Sequence, residues 1–430
     1  MAAPAILSPD LARTVINPAA YGEWNGLLDT FDRIRADMPV ARVESPDGTH
    51  PPFWLVTTYD DVMRISKDNT TFLNHPRTVV FTLTEGIEFA KAFSGGSEHM
   101  VASLVTFDAP IHLTYRKLTQ QWFMPANLRT LEEDIRATAR AAVDRLLDAG
   151  ETVDFVPTVS APYPLHVVMQ ILGVPEEDEA RMLFLTQQMF GGQDADLNQS
   201  GKADLTPEQI TEIVAGSVRG FEEYFAQLTA QKRAHPTGDV ASMIANAVVD
   251  GEPLNDRDMM GYYMILAAAG HDTTSASTAG AMLALANDPE QFAQVRKDRS
   301  MLAGIVEEAI RWTTPVQHFM RTAAEDVEVG GQRIAAGDWL MLNYVAANHD
   351  PAQFDDPRRF DAARIPNRHL AFGAGAHQCL GLHLARLEMR ILFEELLDRI
   401  AAVEPAGEAK RSSSTFVGGL KTLPLRITEV

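Results

Sequence analysis

The segment Phe372-Gly373-Ala374-Gly375-Ala376-His377-Gln378-Cys379-Leu380-Gly381 carries the only cysteine of the chain and runs directly into an apolar helical pattern beginning near Leu382. That placement restricts what the chain can be. A thiol at a helix start meets unpaired N–H groups and the positive end of the helix dipole, which favour thiolate, the form that binds metal or attacks electrophiles. Gly375 and Gly381 remove Cβ atoms on either side of the sulfur and leave room for a flat ligand, and Phe372 is placed to pack on that ligand's face. One cysteine forms no internal disulfide, so the fold needs no oxidising compartment, and it lacks the partners of a structural zinc site. On these residues alone an inert buried thiol and a cysteine hydrolase stay open, although nothing marks out the base that a hydrolase requires.

Apolar residues recur at three- and four-residue spacing in Leu131–Leu147, Pro207–Ala234, Asp256–Ala286, Ser300–Trp312 and Leu382–Ile400. Strand signals are fewer: Phe53–Thr57, Val327–Val329 before the turn pair Gly330-Gly331, and Asp338–Val345. The pattern predicts a mainly α fold with small peripheral β-sheets. No linker composition divides the sequence, which reads as one unit over residues 1–430. Asn74–Gly96 and Gly191–Pro207 fit neither period and read as lids, binding loops or linkers.

Two further clusters stand out. Asn255–Ala286 is expected to form one long helix with Asn255 as N-cap and Asp258 in its first turn, and Ala269-Gly270-His271-Asp272-Thr273-Thr274 lies at its middle. An acid beside an alcohol in an apolar helix is costly unless used, although threonine can satisfy itself by bonding back one turn. Glu308-Ala309-Ile310-Arg311 sets acid and base three apart on one helical face, which in isolation is an ordinary solvated pair.

The arrangement Phe-x-x-Gly-x-His-x-Cys-x-Gly over Phe372–Gly381 resembles the haem-ligand loop of the cytochrome P-450 family. Glu308-x-x-Arg311 and Phe360-Asp361-Ala362-Ala363-Arg364 follow in family order, and the likeness extends from Ala12-Arg13-Thr14-Val15 to Phe416-Val417-Gly418-Gly419. Within the family it is similar to the bacterial α-terpineol-hydroxylating branch, on Glu307–Trp312, Phe319–Ala323 and Pro366–Leu370. The resemblance implies a triangular helical prism with haem b (iron protoporphyrin IX) between a long central helix and the helix after the cysteine loop. It implies Cys379 as the iron ligand, Asp272 and Thr273 as the proton relay, and Ala269 and Gly270 as the small residues that, with a local kink in the long helix, make room for bound O2, the co-substrate. It implies a clamp for the haem carboxylates from His112, Arg116, Arg321 and His377, and a buried structural ion pair of Glu308, Arg311 and Arg364. Val79, Phe81, Phe89, Leu104, Ala268, Val316 and Phe416 are the candidate pocket residues. Arg77–Phe93 and Gln193–Thr206 depart most from the family pattern, so substrate is its least determined implication.

The implied activity is a haem-thiolate monooxygenase that inserts one oxygen atom from O2 into a C–H bond of a small apolar substrate, a monoterpene or alkyl-aromatic hydrocarbon. No flavin or nicotinamide segment accompanies the cysteine loop, so electrons are expected from a separate iron–sulfur ferredoxin and its reductase, docking on the cysteine side near Arg116 and Lys117. A peroxide-driven peroxygenase has less need of Asp272-Thr273, and a haem or hydrophobic-ligand sensor lacks an effector segment. Asp and Glu outnumber Lys and Arg by 58 to 37, a net charge of −21, which repels nucleic acid and anionic membranes. The N-terminus shows no secretory pattern and Met259–Gly270 is too short to span a bilayer, so a cytoplasmic protein without membrane contact is expected.

Overall fold

The computed structural model describes residues 4–79, 84–198, 201–202 and 205–430. Helices dominate, as the periodicity predicts. Glu132–Asp148, Pro207–Ala234, Leu302–Thr313 and Leu382–Arg399 fall within a residue or two of the sequence expectation. Asn255 caps its helix by accepting from the Asp258 N–H. The expected single central helix is instead two, Asp256–Ala269 and Asp272–Ala286, parted at Gly270-His271. A side chain on Gly270 would meet Val168 at 2.5 Å, so glycine lets the break pack against the helix Pro162–Leu172.

The helical half encloses the largest apolar core, in which Glu132–Asp148 packs along Leu382–Arg399 and Asp272–Ala286 packs on Leu302–Thr313. Beside it lies a five-stranded sheet ordered Val40–Val43, Phe53–Val56, Trp339–Asn343, His318–Ala323 and Phe72–Leu73, with the second and third strands parallel and the other pairs antiparallel. Smaller apolar clusters cover its two faces. Gly330 and Gly331, both at positive φ, close the hairpin between Val327–Val329 and Gln332–Ile334, a two-residue turn for which glycine is suited. The segment Asp338–Val345 is strand only to Asn343, whose side chain then caps the short helix Tyr344–Asn348.

The two irregular segments resolve differently. Thr84–Ser94 is a helix. The stretch after Phe190 is a series of turns held to a distant hairpin, because the buried Asp194 accepts from the Ser413 N–H at 2.7 Å and from Lys421 Nζ at 2.9 Å. No helix among the described residues is long and apolar enough to cross a membrane.

Candidate active site

The cysteine loop and the break in the central helices face one another across a cavity of about 1500 Å3, counting its open mouth. Cys379 stands in its wall, two residues ahead of the Gly381 that begins the Leu382–Arg399 helix. The Cys379 N–H donates to the Phe372 carbonyl at 2.8 Å and closes the loop on itself. Phe372 lines the same cavity, and the Arg386 guanidinium lies over its ring at 4.7 Å. Protein encloses the sulfur except toward the cavity, and this burial pushes its pKa up. The Gly381 N–H, Arg116 and Arg386 pull it down and do not prevail. The favouring of thiolate expected from the sequence is present in the Gly381 N–H but outweighed by burial, and a cation bound in the cavity would favour the thiolate.

The two flanking glycines have different reasons. A Cβ on Gly381 would meet nothing within 4 Å, which leaves that side of the sulfur clear for a planar group. Gly375 does not line the cavity: at φ +75° it faces backbone, and a Cβ there would lie 2.5 Å from the Ser66 carbonyl oxygen. It seats the loop on the end of the helix Tyr59–Lys67. The ligand-clearing reason given for it by the sequence is replaced by a packing one.

His112, Arg116, Arg321 and His377 all line the cavity, gathered from the helix Ile111–Gln120, a central strand and the cysteine loop. The His112 and His377 rings stack 3.9 Å apart. Burial lowers His112 to about 4 and His377 to about 3, so both rings are neutral at physiological pH. Among the described residues neither Arg116 nor Arg321 has a carboxylate within 4.0 Å, and the 3% exposed Arg321 donates to the carbonyl of its neighbour Met320 and to the Tyr344 side chain. A buried Arg321 and a half-buried Arg116 without a carboxylate partner, in a chain of net charge −21, carry a desolvation cost that is greatest for Arg321. An anionic ligand offsets that cost. Haem b fits this donor set: a soft sulfur for the iron, two guanidiniums and two imidazoles for the carboxylates, and apolar walls for the macrocycle.

On the opposite wall stand Ala269, Gly270 and Thr273. The Thr273 hydroxyl donates to the Ala269 carbonyl at 3.1 Å, the local bond that threonine makes in a helix. Asp272 does not line the cavity. Its carboxylate lies 3.1 Å from Nε2 of the fully buried His271, whose pKa it raises against desolvation. The acid and the alcohol are thus neighbours on two faces, Asp272 half-buried toward the outside and Thr273 toward the cavity.

Glu308 and Arg311 are both fully buried. Arg311 grips the carboxylate through Nε at 2.8 Å and Nη2 at 2.7 Å, and Arg364 adds its Nε at 3.1 Å to each oxygen. The Asp361 N–H and the Asn367 amide complete the shell, while Arg311 also holds the Asn348 and Pro357 carbonyls. The lock fastens the irregular stretch before the cysteine loop to the helical body.

Of the pocket candidates, Leu104 and Val316 line the cavity. Phe81 lies outside the described residues. Val79, Phe89, Ala268 and Phe416 lie off the cavity wall: Phe89 stacks on Phe93, and Ala268 is buried on the far side of its helix. Phe416 stands one layer back, 5.4 Å from Phe319, which does line the wall. Sequence reasoning missed Ile265, Leu266, Phe319 and the buried acid Glu388, all of them lining. The first two were findable, since they sit four and three residues before Ala269 on one helical face.

A family model described as "Cytochrome P450" matches residues 206–427. A relative named cytochrome P450-terp, from a Pseudomonas species, is 42% identical over 431 residues, covering all of both chains. Linalool 8-monooxygenase of Pseudomonas putida is 32% identical over 92% of this chain and 94% of its own length. Among solved structures, that of CYP108D1 from Novosphingobium aromaticivorans superposes with a TM-score of 0.91 at 63% identity, over 99% of this chain and 100% of its own. A Mycobacterium marinum cytochrome in complex with pseudoionone superposes with a TM-score of 0.87 at 30% identity, over 99% of this chain and 100% of its own.

Proposed function

Since the chain belongs to the cytochrome P450 family, we propose that it hydroxylates monoterpenoid or alkyl-aromatic molecules with electrons from a separate iron–sulfur ferredoxin. Its activity is that of a P450 monooxygenase, with haem b as cofactor and O2 as co-substrate. Haem, when held by Cys379, supplies reductive activation of O2 and delivery of one oxygen atom to a C–H bond, the other leaving as water.

The protein's own part is binding, exclusion of water and supply of protons. Arg116, Arg321, His112 and His377 would hold the two haem carboxylates, and Phe372 and Gly381 border the sulfur. Leu104, Ile265, Leu266, Val316 and Phe319 offer a substrate shape and dispersion but few hydrogen bonds, which favours compact hydrocarbon skeletons. Asp272, open to solvent on one side, takes up a proton, and Thr273, open to the cavity on the other, presents it. For a reaction that consumes two protons per oxygen atom inserted, that division of faces suits a relay. The observation that carries this reading is that the Cys379 thiol, two carboxylate-free guanidiniums and an apolar wall meet in one cavity.

The names of two similar proteins support the terpenoid part: one acts on linalool, a monoterpene alcohol, and another was solved with pseudoionone, a terpenoid ketone. For the electron donor, the helix bearing His112 and Arg116 exposes Ile111, Leu113 and Lys117, an apolar and basic face suited to a small acidic protein. The test is titration of the ferric holoenzyme with linalool, α-terpineol, alkylbenzenes and long-chain fatty acids, followed by product analysis with a ferredoxin and reductase. A high-spin shift and a hydroxylated product with a terpenoid or alkylbenzene are expected; a response to fatty acids alone contradicts the substrate class.

A further inference from the structure

Glu307 and His369 come from two distant segments, Glu307–Trp312 and Pro366–Leu370, and neither lines the cavity, yet the fold joins them to Arg386 beside the cysteine loop. Arg386, on the helix Leu382–Arg399, grips the Glu307 carboxylate twice, through Nε to Oε1 at 2.5 Å and through Nη2 to Oε2 at 2.8 Å. His369 Nε2 lies 3.2 Å from the same Oε2, while its Nδ1 is shut from solvent without a partner. The ring hydrogen therefore sits on Nε2 and points at the carboxylate. Burial works to raise the Glu307 pKa, but Arg386 and His369 hold it at about 2, so this acid is ionised. Fixed in this way, the guanidinium lies over the Phe372 ring at 4.7 Å, and the His369 ring stands 5.6 Å from it. Phe372 in turn takes the Cys379 N–H on its carbonyl at 2.8 Å. The trio thus braces one wall of the loop that carries the sulfur.

Its charges do not weigh equally on that sulfur. The field of Arg386 reaches Cys379, and that of Glu307 is not among those felt there, so the pair acts on the sulfur as a net positive charge. A haem held by thiolate becomes one unit more negative when it takes up an electron, and fixed positive charge beside the ligand favours the reduced form. We infer that Arg386, held by Glu307 and His369, raises the reduction potential of haem bound to Cys379 and so eases electron entry from the ferredoxin. This rests on the haem-thiolate reading. In the step, one electron leaves the reduced iron–sulfur cluster and enters the ferric haem; the cluster ends oxidised by one electron, and no bond or proton changes place at the trio. Glu307 and His369 are positioning residues. Glu307 fixes the guanidinium over Phe372 and also offsets part of its field, so the potential is set by the balance of the two charges. The Arg386 side chain is 35% exposed, so this effect should weaken as salt rises.

The test uses Arg386→Gln and Glu307→Gln, each of which keeps a hydrogen-bonding group and removes one charge. In a spectroelectrochemical titration of the holoenzyme at low ionic strength, R386Q should be harder to reduce than the wild type and E307Q easier. Arg386→Lys, which retains the charge, should stay nearer the wild type than R386Q. The C–O stretch of the reduced carbon monoxide complex reads the same effect at the ligand: it should fall in R386Q and rise in E307Q, because a nearby cation weakens donation from the sulfur. Opposite signs separate charge from damage, since a loosened loop would move both variants the same way. A potential in E307Q equal to or below that of the wild type overturns the inference, even where R386Q holds no haem. A wild type without a thiolate-type carbon monoxide band would overturn the haem-thiolate reading and this inference with it. The band present, with both variants at the wild-type potential, would overturn this inference alone.

Discussion

At the scale of single residues, charge is placed where it is either fully answered or left for a ligand. Glu308 belongs to the first kind: its two oxygens take five donors in complete burial. Glu308→Ala would strand Arg311 in the core, and breaking such a pair costs about 3–5 kcal/mol. Denaturant unfolding should show that loss; a change below about 1 kcal/mol would mean the lock is not what holds the loop's approach. Arg116 and Arg321 belong to the second kind. His112→Ala/Arg116→Ala should release haem on desalting where the wild type retains it, and full haem occupancy in the double variant would move the carboxylate contacts elsewhere. Which arginine is of which kind follows in the sequence from the family resemblance alone, not from the local residue pattern. Glu308-x-x-Arg311 reads as a surface pair until Arg364, 53 residues beyond Arg311, is seen to close on it.

At the scale of elements, the seating of the cysteine loop on the helix Tyr59–Lys67 fixes where the sulfur stands. Gly375→Ala adds a methyl group 2.5 Å from the Ser66 carbonyl at a left-handed φ. The cost should be about 1–3 kcal/mol by overpacking, with weaker haem loading; unchanged urea midpoint and loading would show that the loop is not pinned there. Long helices were legible because a 3.6-residue period repeats many times along each of them. Short strands were not: Val40–Val43 and His318–Ala323 are almost wholly buried, so no alternation marks them. The choice of Ala268 over Ile265 and Leu266 as lining shows the same limit in a helix, where one position turns a side chain by about 100°. The acid–alcohol pair was legible as a pair, but its division between two faces emerges only with the break at Gly270-His271.

At the scale of the whole molecule, buried histidines tie stability to pH. Besides the pair in the cavity, the fully enclosed His318 and His349 are held at about 4 and about 3 by desolvation, each with Nδ1 bonded to a carbonyl, of Thr415 and Val345 respectively. The unfolded chain takes up protons at these sites as pH falls below about 6.5 while the folded chain does not. The stability they contribute is thus complete above about 6.5 and is lost progressively toward the folded values. The urea midpoint should fall between about pH 7.5 and about pH 5, and less so in His349→Gln; an unchanged wild-type midpoint would contradict the buried neutral rings. The same architecture brings a sulfur, two unanswered guanidiniums and an apolar wall from distant parts of the chain to one cavity. The central claim is that Cys379 ligates haem iron there as thiolate. It is tested most directly by the absorption spectrum of the reduced protein under carbon monoxide, for the wild type and for Cys379→Ala. A long-wavelength thiolate Soret band in the wild type that vanishes in the variant is the predicted result; the same band in both, or a wild type that takes up no haem, would contradict it.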